Sequence, residues 1–135
     1  MNYGPVIYSK LSGHGALTAL VGDRIGNIKV KQNEQMPYLV YRQSLSADHT
    51  KMPGAHKLDY VQVEVRVVTD QAEAVDKAFT VAVEVIAAME QYVELTVEGE
   101  VVKQIVFENQ GYQVYNEENK AFETPLNFEM KIWKG

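Results

Sequence analysis

Residues 60–91, YVQVEVRVVTDQAEAVDKAFTVAVEVIAAMEQ, join a strand pattern to a helix pattern with no loop pattern between them. In the first part, valine alternates with polar residues, as is typical of a strand with one buried face. The valines are Val61, Val63, Val65 and Val67. A helical spacing follows, and we expect a helix that begins at Asp70 and ends at Gln91. Its predicted apolar stripe comprises Ala72, Val75, Phe79, Ala82, Ile86 and Met89. The helix must fold back over the valine face to bury both apolar surfaces, so this join decides the fold class.

The N-terminal part predicts a short helical region and a strand. Residues 5–20 have an apolar stripe typical of one or two helices, and Gly13 and Gly15 indicate a break between them. Gly22 can close the second helix, because glycine readily adopts the left-handed conformation. Residues 24–31 then predict a short edge strand.

The remaining segments predict a mostly antiparallel sheet. Strands are expected over residues 38–45 and 58–69, with a long loop over residues 47–57 between them. Residues 94–107 and 112–115 predict an interrupted strand, with a turn near residues 98–100 and a break near residues 109–111. The final strand places Leu126, Phe128, Met130 and Ile132 on one face, and Asn127, Glu129, Lys131 and Trp133 on the other.

The element order is therefore α-(β)-β-β-α-β-β. We expect a single α+β domain over residues 1–135, with the sheet packed against the one long helix.

The composition of the chain excludes several classes of function. The chain has 135 residues, a formal net charge of −5 and no cysteine. Disulfides and thiolate chemistry are excluded, and the acidic balance argues against binding to the outside of nucleic acid. The first residues lack the basic start and apolar run of a secretion signal, and the most apolar stretch, residues 72–93, is interrupted by five charged residues. We therefore expect no targeting or membrane segment.

The sequence contains no recognisable catalytic or metal-binding motif. His14, His49 and His56 do not form a closely spaced set of ligands, although His49 and His56 share a loop with Asp48. The sequence leaves open whether this segment is a solvated loop or an adventitious metal site. Ser44 has no elbow glycines around it, so nucleophilic catalysis is not indicated. We therefore expect no enzyme activity, no cofactor and no metal.

Exposed aromatic residues are the other notable feature. Trp133 falls on the polar face of the last predicted strand, and Tyr112 and Tyr115 lie near its predicted partner strand. Aromatic residues on a polar face mark a contact surface, or else they reflect cross-strand aromatic packing or a second covered face of the sheet. The sequence leaves these interpretations open.

Two short motifs and their order resemble a known family. LTALVGDRI at residues 17–25 and MPYLVY at residues 36–41 precede the valine strand and an alanine-rich helix. This order is similar to that of the tail-completion or tail-terminator (head–tail joining) proteins of long-tailed bacteriophages. One departure lies at Gly26 and Asn27, where many relatives have an aromatic residue and a proline.

The resemblance implies a structural protein of the virion, assembled in the cytoplasm of a host bacterium. Such proteins form a ring, usually a hexamer, that caps the tail tube and meets the head connector. The implied partners are therefore other copies of the chain, the major tail tube protein and the connector, with DNA passing through the channel without specific binding. Neighbouring strand edges offer a physical route to such a ring.

The resemblance also suggests which residues make contacts. We expect the long loop to project from the ring and to engage the tube, the connector or the channel. The candidate interaction residues are Asp48, His49, Thr50, Lys51, Met52, His56, Lys57, Tyr112, Tyr115 and Trp133.

Two alternatives remain at this stage. One is another head–tail connector or a tail-tube-like protein of similar fold. The other is a small ligand-binding α+β module, which requires a pocket with convergent polar groups.

Overall fold

The computed structural model describes residues 2–28, 35–46, 58–70, 74–118 and 120–133. These residues form three helices and seven strands. In chain order the elements are α1 (Gly4–Ser12), α2 (Gly15–Val21), β1 (Ile25–Asn27), β2 (Tyr38–Ser46), β3 (Leu58–Thr69), α3 (Ala74–Met89), β4 (Leu95–Val97), β5 (Glu100–Gln110), β6 (Val114–Asn116) and β7 (Ala121–Trp133). The predicted α+β class and element order are confirmed.

All seven strands belong to one sheet with the order β1-β2-β3-β7-β5-β4. Every pairing is antiparallel except the parallel pair β1–β2. β7 lies at the centre and pairs with β3 from Leu58↔Trp133 to Thr69↔Phe122. On its other side, β5 covers the C-terminal part of β7 and β6 covers the N-terminal part. β5 and β6 therefore act as one interrupted strand, with the break at residues 111–113 rather than at residues 109–111.

The helices cover one face of the sheet, and the hydrophobic core lies between them. Alternate residues of the two central strands point into this core and are at most 2% exposed. They are Val61, Val63, Val65 and Val67 on β3, and Leu126, Phe128, Met130 and Ile132 on β7. The predicted inward faces of both strands are confirmed, because an alternation of period two leaves only one way to bury the apolar set.

The long helix is present, but its bounds and its buried stripe differ from the prediction. It ends at Met89 because Gln91 instead pairs with Ile105 of β5. The buried stripe comprises Ala78, Val81, Ala82, Val85, Ala88 and Met89. Val75 and Phe79 are 71% and 68% exposed, so their placement in the core was wrong. Ala72 of the predicted stripe lies outside the described residues.

The N-terminal helices follow the glycine pattern. α1 and α2 are separated at Gly13, and α2 ends at Gly22, whose φ of +60° favours glycine. The following edge strand is shorter than predicted. Ile28 lies beyond β1 and is 72% exposed, and Val30 lies outside the described residues.

Candidate interaction surfaces

The described residues contain no cluster of three or more side chains of His, Asp or Glu suited to a metal ion. His14 precedes α2, and its Nε2 lies 3.3 Å from Oε1 of Glu84 on α3, so it links two helices. His49 and His56 lie outside the described ranges. No described helix is long and apolar enough to cross a membrane.

The structure separates the predicted aromatic residues. Tyr115 is 43% exposed and packs on Phe122 near the start of β7, with ring centroids 5.0 Å apart. Tyr112 is 93% exposed in the adjoining break between β5 and β6. Trp133 lies at the opposite end of β7, where the Lys103 ammonium is 5.5 Å from its ring centroid. Trp133 lies eleven residues after Phe122 along the strand, a distance of roughly 35 Å, so Trp133 does not form one patch with Tyr112 and Tyr115.

The other predicted contact residues belong to the long loop between β2 and β3. Asp48, His49, Thr50, Lys51, Met52, His56 and Lys57 all lie outside the described residues. The described residues on either side of this segment lie together, since Ser46 and Tyr60 are paired residues of β2 and β3. The contact role of the seven candidate residues stays a prediction.

The sheet face without helices, here called the outer face, carries a ladder of ion pairs. Glu64 accepts hydrogen bonds from Arg66 at 2.7 Å and from Arg42 at 3.2 Å. Arg66 also donates to Glu123 at 2.9 Å. Burial tends to raise the pKa of Glu64, but the two guanidinium groups hold the pKa below its usual value. The ladder balances positive and negative charge across three strands.

A shallow depression of about 370 Å³ lies beside this ladder on the outer face. Arg42, Ser44, Gln62 and Asn127 line it with polar groups. Its charged groups are already paired with each other, so the depression lacks the convergent free groups of a ligand site.

A buried polar contact attaches α1 to the sheet. The Tyr3 hydroxyl donates to Oδ2 of Asp59, and the Tyr3 amide donates to Oε1 of Gln43 at 2.8 Å. Tyr3 is 1% exposed, and burial together with the neighbouring carboxylate raises the pKa of its hydroxyl. This contact fixes the start of the chain at the Trp133 end of the sheet, since Asp59 pairs with Ile132.

A second buried polar contact is made by Gln91, which lies between α3 and β4 in the chain. Its Nε2 donates to the carbonyls of Val93 and Val102 at 2.8 and 2.9 Å, and its Oε1 accepts from Lys10 of α1 at 3.0 Å. Burial lowers the pKa of Lys10. The end of α3 is thereby held to both α1 and β5.

The sheet is open on both sides within the described residues. One edge is β1, which pairs only with β2. The opposite edge is formed by β4 and by β6, each paired on one side only. Unpaired strand edges are sites at which another chain can extend a sheet. The two edges differ in sequence and direction, so they are unlike surfaces.

Sequence reasoning missed an exposed apolar stripe on α3. Val75, Phe79 and Val83 are spaced by four residues and are 71%, 68% and 49% exposed. We call these three residues the α3 stripe. A signal was available, because residues 74–89 contain only four polar side chains, too few for a helix with one solvated face.

Several solved chains match this fold. One chain from the virion of a native gene transfer agent particle aligns with a TM-score of 0.74 at 18% identity, covering 98% of this chain and 99% of its own. A second solved chain aligns with a TM-score of 0.65 at 15% identity, covering 96% of this chain and 95% of its own. At these identities the likeness shows the fold alone. No curated protein matches the sequence.

A protein family accounts for nearly the whole chain. The profile of the tail completion protein gp17 family matches residues 5–132. This range includes both motifs that suggested the resemblance and every strand and helix core described above, so the resemblance is confirmed. The chain belongs to the tail completion protein gp17 family and is a structural protein of the phage virion.

Proposed function

We propose that this chain forms a ring, a hexamer as the family resemblance implies, at the head-proximal end of the tail tube. There it stops tube polymerisation and joins the tail to the head connector. Its role is structural, and DNA passes through the ring without specific binding. The partners are other copies of the chain, the major tail tube protein and the connector.

The observation that carries this proposal is the pair of unlike open edges on one sheet. When one surface of a subunit binds a different surface of the next, the contacts are head-to-tail, and they close into a ring at a suitable rotation. The family match supplies the setting in a phage tail. The fold shared with a chain of a gene transfer agent virion is consistent with that setting.

The paired charges of the outer face support a role in which DNA passes the protein without binding to it. Arg42 and Arg66 are both held by Glu64, and Arg66 is also held by Glu123. Paired guanidinium groups have little capacity to neutralise phosphates, which is the main source of nonspecific DNA binding. DNA that passes the described part of this face would therefore meet paired, not free, arginine side chains.

Removing the gene and restoring it tests the proposed function. Without the protein, we expect tails of irregular length and heads without tails in negative-stain images. Restoring the gene returns joined particles, and gold-labelled antibody then marks the head-proximal end of each tail. Normal-length tails joined to heads in the absence of the protein would rule the proposal out. Copy number that scales with tail length would instead indicate a tube-like protein.

We also propose that the long loop between β2 and β3 contacts a neighbour in the tail. Deleting residues 50–55 leaves the paired ends of β2 and β3 in place, so we expect a folded protein whose tails do not join heads. Thermal melting of the purified variant and the titre of infectious particles check the two halves of this prediction. A normal titre would show that the loop is dispensable.

A further inference from the structure

The α3 stripe is an apolar surface that the fold does not need for its own core. Six other residues of α3 already form the buried face against the sheet. Phe79, 68% exposed, is the largest side chain of the helix and lies on the solvent side. Apolar patches of this kind on a soluble domain mark contact sites more often than chance.

Helix geometry places the stripe on the flank of α3 that faces away from α2. α2 lies on the flank of Glu84, which contacts His14 at 3.3 Å. Val75 precedes Glu84 by nine residues, roughly 180° around a helix of 3.6 residues per turn. α3 itself packs over β3, β7 and β5, and α2 leads directly into β1 at the other side of the sheet. The stripe therefore faces the β5–β6 side.

The stripe and the β6 edge lie at the same end of the molecule. β3 ends at Thr69, which pairs with Phe122 beside β6. α3 begins at Ala74, five residues after Thr69, so the start of the helix lies within about 18 Å of the end of β3. Val114 of β6 is 53% exposed, so this edge also presents apolar surface. One neighbouring molecule on this side would cover both features.

We propose that the α3 stripe and the β6 edge form one half of a contact between copies of this chain. The other half is the α2–β1 side of the next copy. This inference rests on the proposed ring and assigns its subunit surfaces. A strand edge added beside β6 extends the sheet. Since α2 lies on the β1 side of each copy, the same addition places the α2 of the neighbour alongside the α3 stripe.

Charge favours a second copy as the occupant. Copies with a net charge of −5 repel each other, so their contact must be locally free of like charges. Residues 15–22, which include all of α2, contain no charged side chain. Ala16 and Ala19 of α2 are exposed and small, so an apolar helix can approach them closely. Ile28, 72% exposed at the end of β1, adds apolar surface on the same side.

The size of the contact sets its expected strength. Three apolar side chains and a three-residue strand edge bury much less surface than the roughly 800 Å² per partner that a stable pair buries. An isolated pair of copies should therefore dissociate readily. A closed ring, or copies held side by side on a tail, gains from several such contacts at once.

Cysteine cross-linking tests this assignment, because the chain has no cysteine of its own. Particles carrying the double variant Phe79→Cys/Ala19→Cys are treated with a short bismaleimide. We expect a ladder of multiples of this chain on a denaturing gel, and no ladder from either single variant. No product, a product with a tail tube or connector protein, or dimers from Phe79→Cys alone would overturn the proposal.

A matched pair of charge variants provides the second test. Phe79→Asp should reduce joined particles at least tenfold, whereas Thr80→Asp, exposed on the same helix about 100° away, should not. Melting temperatures near wild type confirm that both variants fold. Equal effects from the two variants would overturn the assignment.

Copy number separates failure of the surface from failure of the ring. Quantitative mass spectrometry of wild-type particles gives the number of copies per particle. Several copies without the cross-link would overturn only the surface assignment. One copy per particle would overturn the ring itself.

Discussion

The two faces of the sheet are made by alternate residues of the same strands, yet they are stabilised differently. On the helix-covered face, Val63 pairs with Phe128, and both are buried in an apolar core. On the outer face, neighbouring Glu64 and Arg66 form an ion pair at 2.7 Å and keep partial access to solvent. The stability of the fold therefore depends mainly on the covered face, and substitutions on the outer face should affect it less.

The largest expected effect comes from placing a charge on the covered face. Val63→Asp puts an unpaired carboxylate where the native side chain is 2% exposed, and we expect a loss of at least about 4 kcal/mol in the free energy of unfolding. Urea titration measures it. Ser44→Asp, exposed on the outer face of the adjacent strand, is the control and should change the value by less than about 0.5 kcal/mol. Similar values for both variants would contradict the comparison.

An intermediate effect is expected where the covered face contains a polar contact. Tyr3→Phe removes the hydroxyl that donates to Asp59, and we expect a loss of about 1–3 kcal/mol. Tyr8→Phe changes a 41% exposed tyrosine of α1, the helix that Tyr3 precedes, and should have little effect.

The same contact predicts a pH dependence. Burial raises the pKa of Tyr3 in the folded state, so above pH 10.0 the unfolded chain releases a proton that the folded chain keeps. The stability contributed by Tyr3 is thus present below pH 10.0 and falls as the pH rises further. The difference between wild type and Tyr3→Phe should narrow there. A difference that stays constant would show that Tyr3 titrates normally.

The smallest effect is expected on the outer face. Glu64→Gln weakens two ion pairs at a partly exposed site, and we expect a loss of about 1 kcal/mol near neutral pH. Because the pKa of Glu64 is lowered in the folded state, its contribution is present above pH 4.5 and is lost as the pH falls through the folded pKa. Wild type and variant should therefore converge in acid. Glu94→Gln, which removes an exposed pair with Lys103, is the control and should cost less.

Sequence patterns predicted the strands well because their signal is local. β3 begins at Leu58 and ends at Thr69 as expected, and the inward residues of β7 follow the alternation from Leu126 to Ile132. Each period-two pattern carries its own register of inward and outward residues. The pairing of β3 with β7 links residues far apart in the chain, and a single sequence does not display it.

The helix shows where a local pattern is insufficient. α3 is apolar on nearly all sides, so its sequence is compatible with several buried stripes, and the observed one excludes Val75 and Phe79. Packing against the sheet determines which side of the helix is buried. The same ambiguity concealed the candidate contact surface, since residues assigned to the core were not considered as surface. Tyr112 and Trp133 were recognised as exposed, but their positions at opposite ends of β7 depend on the tertiary pairing.

The central position of β7 has a mechanical consequence. β7 is paired with β3 over twelve residues without a register shift, and with β5 and β6 along its other side. A force along the strand direction loads these hydrogen bonds in shear, so many must yield together, whereas a force across the strands would open them one after another. If subunits join edge to edge, tension around a ring acts across the strands. Tension along the strands is the direction in which each subunit is strongest.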